Sequence, residues 1–177
     1  GNIHNIEKVK KAFKTGQGVN YDDSHPCIFS GTARFFRPSY SLNLLKKWIP
    51  AIPDVERKLK NGCNFADIGC GFGISSMMIA DAFQNSEIFG FDMHKPSIEI
   101  AIKDAKKQNL NNAKFEVADA ESYCGKYDVI TFFDCLHDMG DPLAASKYAF
   151  NHLNEDGTLI LIEPVSYTHL RAHETEA

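Results

Sequence analysis

Short apolar segments alternate with amphipathic segments through the middle of the chain. The apolar segments are rich in Ile, Val and Phe, as strands buried on both faces are, whereas the segments between them place apolar residues at helical spacing. The predicted strands are residues 64–68, 87–91, 114–118, 127–133 and 158–162, and the predicted helices are residues 74–83, 96–109 and 142–153. This order predicts an α/β fold with a doubly wound, mostly parallel sheet and a ligand crevice at the carboxyl ends of the strands.

The chain ahead of the first strand is less regular. Residues 41–49 and 54–60 predict two helices that prolines separate, whereas the first twenty residues are polar and weakly patterned. We therefore expect a helical lead-in over residues 1–63, which includes a candidate substrate lid. It is followed by a single core over residues 64–164.

The end of the chain differs in character from the core. Residues 165–175 resemble the translation of a transposase sequencing adapter, so we interpret residues 165–177 as a non-native tail and exclude them from the search for a site. On this interpretation the native sequence is cut near Pro164. The sheet is then expected to be truncated after its fifth strand.

The amino-acid composition of the chain limits the kinds of partner that we expect it to bind. Hydrophobic residues make up 44% of the chain and charged residues 24%, and the net charge is −4, which is ordinary for a soluble domain. The apolar runs are too short for a membrane helix, and the basic residues are not clustered as a phosphate backbone requires, so we expect neither membrane nor nucleic acid as partner. The five cysteines form no Cys-x-x-Cys pair, which predicts no disulfide framework, no metal and a reduced, cytoplasmic location.

A glycine-rich turn follows the first predicted strand. Gly69, Gly71 and Gly73 allow the backbone to turn tightly and to approach a ligand at the start of a helix. Ile74 stands where a dinucleotide fingerprint requires its third glycine, which disfavours a nicotinamide cofactor. Asp67 is placed to interact with a ligand ammonium group or with the N–H groups of the turn. A purely structural turn and a helix-capping carboxylate are the alternatives.

Acidic residues end the next two predicted strands. Asp92 follows the second strand, at the position where a carboxylate receives the ribose hydroxyls of an adenosine. Asp119 follows the third strand. At this position its carboxylate would accept a hydrogen bond from an adenine amino group. Two simpler interpretations stay open here, a helix N-cap for Asp92 and an ordinary loop acid for Asp119.

Taken together, these motifs resemble those of class I S-adenosylmethionine-dependent methyltransferases. The resemblance rests on residues 67–73, 91–92, 118–120 and 127–130. It implies S-adenosylmethionine as the cofactor and methyl transfer to a small-molecule acceptor. The cofactor-binding residues that it implies are Asp67, Gly69, Gly71, Gly73, Asp92, Met93, Asp119, Ala120 and Asp134.

Two further segments resemble one branch of that family. Residues 31–38 and 132–142 are similar to a bacterial-type branch that carries a winged-helix dimerisation domain upstream of the catalytic core. The resemblance implies a homodimer formed through that domain, which this sequence lacks. It also implies an antiparallel hairpin after the fifth strand, and no such segment appears before residue 164.

Candidate substrate residues follow the fourth predicted strand. Residues 134–137 lack the signatures of DNA methyltransferases, which favours a small-molecule acceptor. His137 is predicted to act as a general base or to orient the acceptor, because histidine titrates near neutral pH, and Asp138 lies beside it. A polar loop pair without a catalytic role is the alternative.

The lead-in contains a candidate lid. Phe35, Phe36, Arg37 and Tyr40 precede the core, and their aromatic faces favour a cation such as a sulfonium, while the arginine favours a carboxylate. Packing of the two phenylalanines into the core is equally compatible with the sequence. We carry Phe36, Arg37, Tyr40 and His137 forward as candidate substrate residues.

Two other functions are compatible with the same pattern. A module that binds S-adenosylmethionine without turnover, as a sensor or an assembly factor, keeps the crevice and needs no general base. A nicotinamide-dependent oxidoreductase fits the fold, but it fits neither Ile74 nor Asp67.

Overall fold

The computed structural model describes residues 2–163, and a single parallel sheet lies at its centre. Its strands are β1 (Asn64–Ile68), β2 (Glu87–Asp92), β3 (Ala113–Val117), β4 (Tyr127–Phe133) and β5 (Leu153–Ile162). Every strand pair is parallel, and the order across the sheet is β3-β2-β1-β4-β5. The predicted doubly wound fold is confirmed. Because the strand order reverses beside β1, the crevice between β1 and β4 is where such a fold binds ligands.

Helices lie before and between the strands. The lead-in contains α1 (Ile6–Thr15), α2 (Pro26–Asn43), a π-helical segment (Leu44–Trp48), α3 (Ile49–Ala51) and α4 (Val55–Asn61). The core contains α5 (Ile74–Ala82), α6 (Lys95–Lys107) and α7 (Pro142–His152), close to the predicted bounds. Short 3₁₀ turns lie at Asn2–Asn5, Tyr21–Asp23 and Leu136–Asp138. A loop joins β3 to β4.

The lead-in helix α2 begins much earlier than the predicted helix over residues 41–49. Its start carries two local signals: Pro26 occupies the first turn, and the Nδ1 atom of His25 accepts a hydrogen bond from the N–H of Cys27 at 3.2 Å. Pro38 lies inside α2, and the helix continues past it into the π-helical segment. The prediction was wrong here because the apolar spacing before residue 41 is weak.

The last strand is longer than predicted and irregular at its start. Leu153 pairs with Tyr127, and the next pair joins Thr158 to Val129, so residues 154–157 bulge out of the ladder. The side chain of Asn154 in this bulge donates to Asp128 Oδ1 at 2.7 Å. Asp156 and Gly157, which precede the predicted strand, therefore belong to a bulge within β5.

Each face of the sheet has its own core. On one face, α4 and α5 enclose a cluster that includes Val55, Phe65 and Ile79, and α6 packs beside it. On the other face, α7 and Tyr123 from the loop before β4 cover Ala66 and neighbouring side chains. Alternate residues of β1 thus point to opposite faces, as they do in any strand. Lead-in residues belong to the first cluster, so this segment shares the core of the sheet.

The remaining lead-in lies against the carboxyl edge of the sheet or in solvent. Phe29 of α2 is buried, whereas α1 contributes no buried residue. None of the helices within residues 2–163 has the length and apolar character needed to span a bilayer. The tail predicted to be non-native, residues 165–177, lies outside the described residues.

Candidate active site

The glycine turn occupies the carboxyl end of β1. Gly69, Gly71 and Gly73 all have positive φ, of 73°, 54° and 69°. A Cβ on Gly69 would lie 2.8 Å from Cys135 Sγ, and one on Gly73 would lie 2.5 Å from the Phe115 ring, whereas one on Gly71 would meet nothing within 4 Å. The outer two glycines are therefore required by packing. Gly71 faces open space, where the backbone is accessible to a ligand.

Asp67 is buried beneath this turn, with 1% of its surface exposed. Its Oδ2 atom accepts hydrogen bonds from the hydroxyls of Ser75 at 2.6 Å and Ser76 at 2.7 Å, and its Oδ1 atom accepts one from Thr131 at 3.3 Å. Burial raises its pKa to about 6, and these hydroxyls oppose the rise. Within residues 2–163 its partners are these hydroxyls and not the N–H groups of the glycine turn. Asp67 thus ties β1 to the first turn of α5.

Asp92 is the acid that contacts the glycine turn. Its Oδ2 atom accepts from the Gly71 N–H at 2.8 Å, and its Oδ1 atom accepts from the His94 N–H at 2.8 Å. Burial raises its pKa, and the two N–H groups oppose the rise. The carboxylate therefore bridges the turn after β1 and the start of α6. Each oxygen keeps a lone pair for a further donor.

Three more predicted cofactor residues lie near the ends of β2 and β3. Met93 exposes 55% of its surface, which is unusual for a large apolar side chain beside a buried strand. Asp119 is exposed, and its Oδ1 atom accepts from the Glu121 N–H at 2.9 Å, while the neighbouring Ala120 is half-buried. Because Val117 pairs with Asp92, these residues lie at the same edge of the sheet.

His137 is held by Glu163, a residue that the sequence analysis did not single out. The His137 Nδ1 atom is hydrogen-bonded to Glu163 Oε2, and Glu163 Oε1 accepts from the Leu136 N–H at 2.9 Å and the Cys135 N–H at 3.3 Å. Glu163 follows β5, so its position at the carboxyl end of a strand was the signal available in the sequence. The structure thus holds the ring of the predicted base with a carboxylate that directly follows β5.

The carboxylates around His137 favour its protonated form. The hydrogen bond to Glu163 raises the pKa of His137 most, desolvation opposes it, and the charge of Asp138 adds to the rise. The other ring nitrogen, Nε2, lies 3.6 Å from Asp138 Oδ1, which is too far for a hydrogen bond. A glutamate on Nδ1 selects the tautomer that carries its proton there, which leaves the Nε2 lone pair free.

The same cluster is the strongest candidate for a metal within residues 2–163. One ligand atom from each of Asp134, His137 and Glu163 lies within 4.8 Å of the others. However, the Glu163 oxygens already accept from the ring and from two N–H groups. Asp134 has a positive φ of 57°, and burial raises its pKa. Hydrogen bonding alone accounts for the arrangement, so the absence of a metal site stays a prediction.

Tyr40 is the lid candidate that lies closest to this cluster. Its ring centroid is 6.0 Å from that of Phe133, the last residue of β4. Burial raises the pKa of its hydroxyl, and the charges of Asp67 and Asp134 raise it further. The hydroxyl therefore stays protonated.

The other lid candidates lie elsewhere on α2. Phe36 packs between Phe35 and Tyr40, with ring centroids 5.0 Å and 6.2 Å apart, and Phe35 is 75% exposed. Arg37 lines a shallow groove against α5 with Met78 and Asp81. The structure thus brings Tyr40 to the acidic edge and places Arg37 beside a different helix.

An aromatic contact from the lead-in reaches the same edge. The Phe29 ring stacks on the His94 ring at a centroid distance of 3.9 Å and an angle of 16°. Tyr21 packs edge-on against both rings, at 5.0 Å from Phe29 and 6.2 Å from His94. The sequence analysis identified neither Tyr21 nor Phe29, because both lie in a lead-in segment without regular spacing, and it did not single out His94, which precedes α6.

Negative charge dominates the carboxyl edge of the sheet. Within residues 2–163 the ion pairs of lysine and arginine all involve acids outside this edge. The acids at the edge are Asp67, Asp92, Asp119, Asp134, Asp138 and Glu163. An edge with this charge favours a cationic ligand.

Comparisons with known proteins identify the family of this chain. The sequence model of the methyltransferase domain matches residues 59–177. The mitochondrial ubiquinone biosynthesis O-methyltransferase of Saccharomyces cerevisiae is 23% identical over 93% of this chain and 49% of its own length. The chain spans about half the length of the curated relatives that it matches.

Solved structures show the same fold. Coclaurine N-methyltransferase bound to N-methylheliamine and SAH is 22% identical, with a TM-score of 0.55 over 60% of this chain and 32% of that protein. The [4+2]-cyclase SpnF is 24% identical, with a TM-score of 0.55 over 58% of this chain and 39% of that protein. With its parallel sheet, its glycine turn and the domain match over residues 59–177, the chain belongs to the class I S-adenosylmethionine-dependent methyltransferase family.

Proposed function

We propose that this chain binds S-adenosylmethionine at the carboxyl edge of its sheet and directs methyl transfer to an oxygen atom of a small-molecule acceptor. The observation that carries the proposal is an acidic edge, free of lysine and arginine ion pairs within residues 2–163, beside a glycine turn in which Gly71 faces open space. S-adenosylmethionine carries a sulfonium and an ammonium group, so its cationic end matches this charge. Its methyl group is activated by the sulfonium centre.

The residues at the edge fit the parts of this cofactor. Asp92 keeps a free lone pair on each oxygen for the ribose hydroxyls. Met93 offers an exposed apolar surface for the adenine face, and Asp119 is available to its amino group. Gly71 leaves room for close approach of the ligand to the backbone. Asp67 supports the cofactor site indirectly, because its carboxylate holds the first turn of α5 in place.

His137 is suited to remove a proton from the acceptor. A hydroxyl must lose its proton when it is methylated, and the free Nε2 lone pair of His137 is a base for that proton. Glu163 fixes the ring and stabilises its protonated form through Nδ1. Alignment of reactants in a closed site contributes about 7–11 kcal/mol to such a transfer. The chain therefore needs to position and deprotonate the acceptor, and no nucleophilic side chain is required.

The choice of an oxygen acceptor draws on the relatives. The yeast and Acinetobacter baumannii proteins that match this chain are described as O-methyltransferases. A general base beside the crevice suits a hydroxyl acceptor better than a tertiary amine, which carries no proton to remove. A screen of hydroxylated small molecules as methyl acceptors tests this choice.

Calorimetry with S-adenosylhomocysteine tests the cofactor proposal. Asp92→Asn places an amide where the Gly71 and His94 N–H groups and the ribose hydroxyls need acceptors, so we expect a loss of affinity of about 10- to 100-fold. Asp104→Asn, the same change on α6, is the matched control and should leave the affinity unchanged. Thermal unfolding of both variants checks that they fold. Absence of binding to the unmodified chain would contradict the proposal.

The fold alone does not require methyl transfer, because the similar structure of SpnF is described as a [4+2]-cyclase. A protein that binds S-adenosylmethionine without turnover is therefore the second candidate. A radiolabelled methyl-transfer assay with hydroxylated acceptors separates the two. The homodimer and the cytoplasmic location stay predictions.

A further inference from the structure

The first helix, α1, carries apolar side chains that the rest of the described chain leaves in solvent. Ile6, Val9 and Phe13 are 44%, 41% and 88% exposed, and α1 contributes no residue to a hydrophobic cluster within residues 2–163. Because an α-helix turns by about 100° per residue, these three side chains lie within an arc of about 60°. They form one apolar stripe along the helix, which we call the α1 face.

Positive charge accompanies the α1 face. The helix contains four lysines and one glutamate, so it is strongly basic, whereas the whole chain has a net charge of −4. Lys10 and Lys14 lie beside the stripe, on the side next to Ile6. Lys10 pairs with Glu7, but both side chains are exposed, and such a pair contributes little. Helix α1 is therefore both amphipathic and basic.

The opposite side of α1 faces the chain itself. The Lys8 ammonium group donates a hydrogen bond to the Asp23 carbonyl. A groove on this side is lined by residues 17–20 and, from the helix, by Lys8, Lys11 and Thr15. Helical geometry places these three residues on the side of α1 that lies away from the stripe. The α1 face thus points away from that segment, and one side of the helix is open to a partner.

A bilayer surface that contains anionic lipids fits these features. A basic amphipathic helix lies in the plane of such a surface, with its apolar side chains among the headgroups and its lysines near the lipid phosphates. Nucleic acid would contact the lysines but leave the stripe in water. A second copy of α1 would bring two basic helices together, and the groove of a peptide-binding protein encloses more of a helix than one free side.

We propose that the α1 face docks this chain onto an anionic membrane surface. The helix lies within the interface and does not cross the bilayer, so it needs no long apolar run. The expectation of no membrane partner rested on the absence of a run long enough to span. Lysines beside the stripe bury their methylene groups while their ammonium groups stay in the headgroup layer. The docking is independent of the proposed cofactor.

Co-sedimentation of the chain with lipid vesicles tests this docking. We expect binding to vesicles of phosphatidylcholine and phosphatidylglycerol in equal amounts, weaker binding as salt is raised, and much less binding to pure phosphatidylcholine. Phe13→Ser should weaken binding to the anionic vesicles about 10- to 100-fold, as the loss of one inserted aromatic side chain does. Phe150→Ser is the matched control and should leave binding unchanged, because Phe150 is 73% exposed on α7, whose only charged residue is Lys147.

A charge variant tests the contribution of the lysines. Replacement of both Lys10 and Lys14 by Gln should weaken binding to the anionic vesicles about 5-fold for each lysine. Replacement of both Lys106 and Lys107 by Gln removes the same charge from the last turn of α6, and it should have little effect. Thermal unfolding and calorimetry with S-adenosylhomocysteine should be unchanged in all four variants, because the substituted side chains are exposed.

Three results would overturn the docking proposal without bearing on the cofactor. The first is absence of binding to the anionic vesicles, which would leave an acidic protein as the partner for the α1 face. The second is equal weakening by the control variants. The third is a dimer, detected by light scattering, that Phe13→Ser dissociates, because the α1 face would then be a contact between two copies of the chain.

Discussion

Two glycines of the turn have different roles, because Gly73 is required by packing whereas Gly71 leaves space for a ligand. Substitution of each glycine by alanine tests this difference. Gly71→Ala places a methyl group on a residue with φ of 54° and no neighbour within 4 Å, so its cost to the free energy of unfolding is the left-handed conformation alone, about 1–2 kcal/mol. Gly73→Ala has the same conformational cost at φ of 69°. In addition, its Cβ lies 2.5 Å from the Phe115 ring and 3.1 Å from Ala101 Cβ.

The crowding at Gly73 adds about 1–3 kcal/mol, because both neighbours are buried and cannot move freely. We therefore expect Gly73→Ala to lose about 2–5 kcal/mol in total, measured by equilibrium urea unfolding. Gly71→Ala should stay closer to the unmodified chain in stability, yet lose affinity for S-adenosylhomocysteine in calorimetry, because its methyl group occupies the space offered to the ligand. Equal destabilisation by the two substitutions, or unchanged ligand affinity in Gly71→Ala, would refute this division.

Two further predictions concern the base and the second core. Glu163→Gln removes the carboxylate that raises the pKa of His137. The acid limb of the pH profile of the methyl-transfer rate should therefore move to lower pH. An acid limb at unchanged pH would exclude His137 as the titrating base. Tyr123→Phe removes a buried hydroxyl that has no partner within residues 2–163 and should raise the free energy of unfolding by about 1 kcal/mol. Tyr127→Phe should lower it by about 1 kcal/mol, because that hydroxyl donates to the Cys124 carbonyl at 2.6 Å. Urea unfolding distinguishes them, and the same sign for both would contradict the explanation.

Local patterning was enough to predict the sheet. Strands buried on both faces appear as apolar runs, and the helices between them keep apolar residues at helical spacing, so both signals lie within a few neighbouring residues. The start of β5 escaped prediction because residues 154–157 form a bulge opposite Asp128, a contact between distant parts of the chain. The early start of α2 escaped it because its apolar spacing is weak, although Pro26 was a usable signal.

The sequence by itself determined the glycine turn and the acids that end the strands, because a parallel sheet brings the carboxyl ends of its strands to one edge. Only the tertiary structure decided the hydrogen-bond partners of each acid. Asp67 turned inward to Ser75 and Ser76, while Asp92 took the N–H of the glycine turn. The partners of His137 and His94 were likewise decided by folding, because Glu163 and Phe29 are remote in sequence. The spacing of residues along the chain specifies contacts between residues that are close in sequence. Contacts between remote segments depend on the spatial arrangement of the strands and helices in the folded protein.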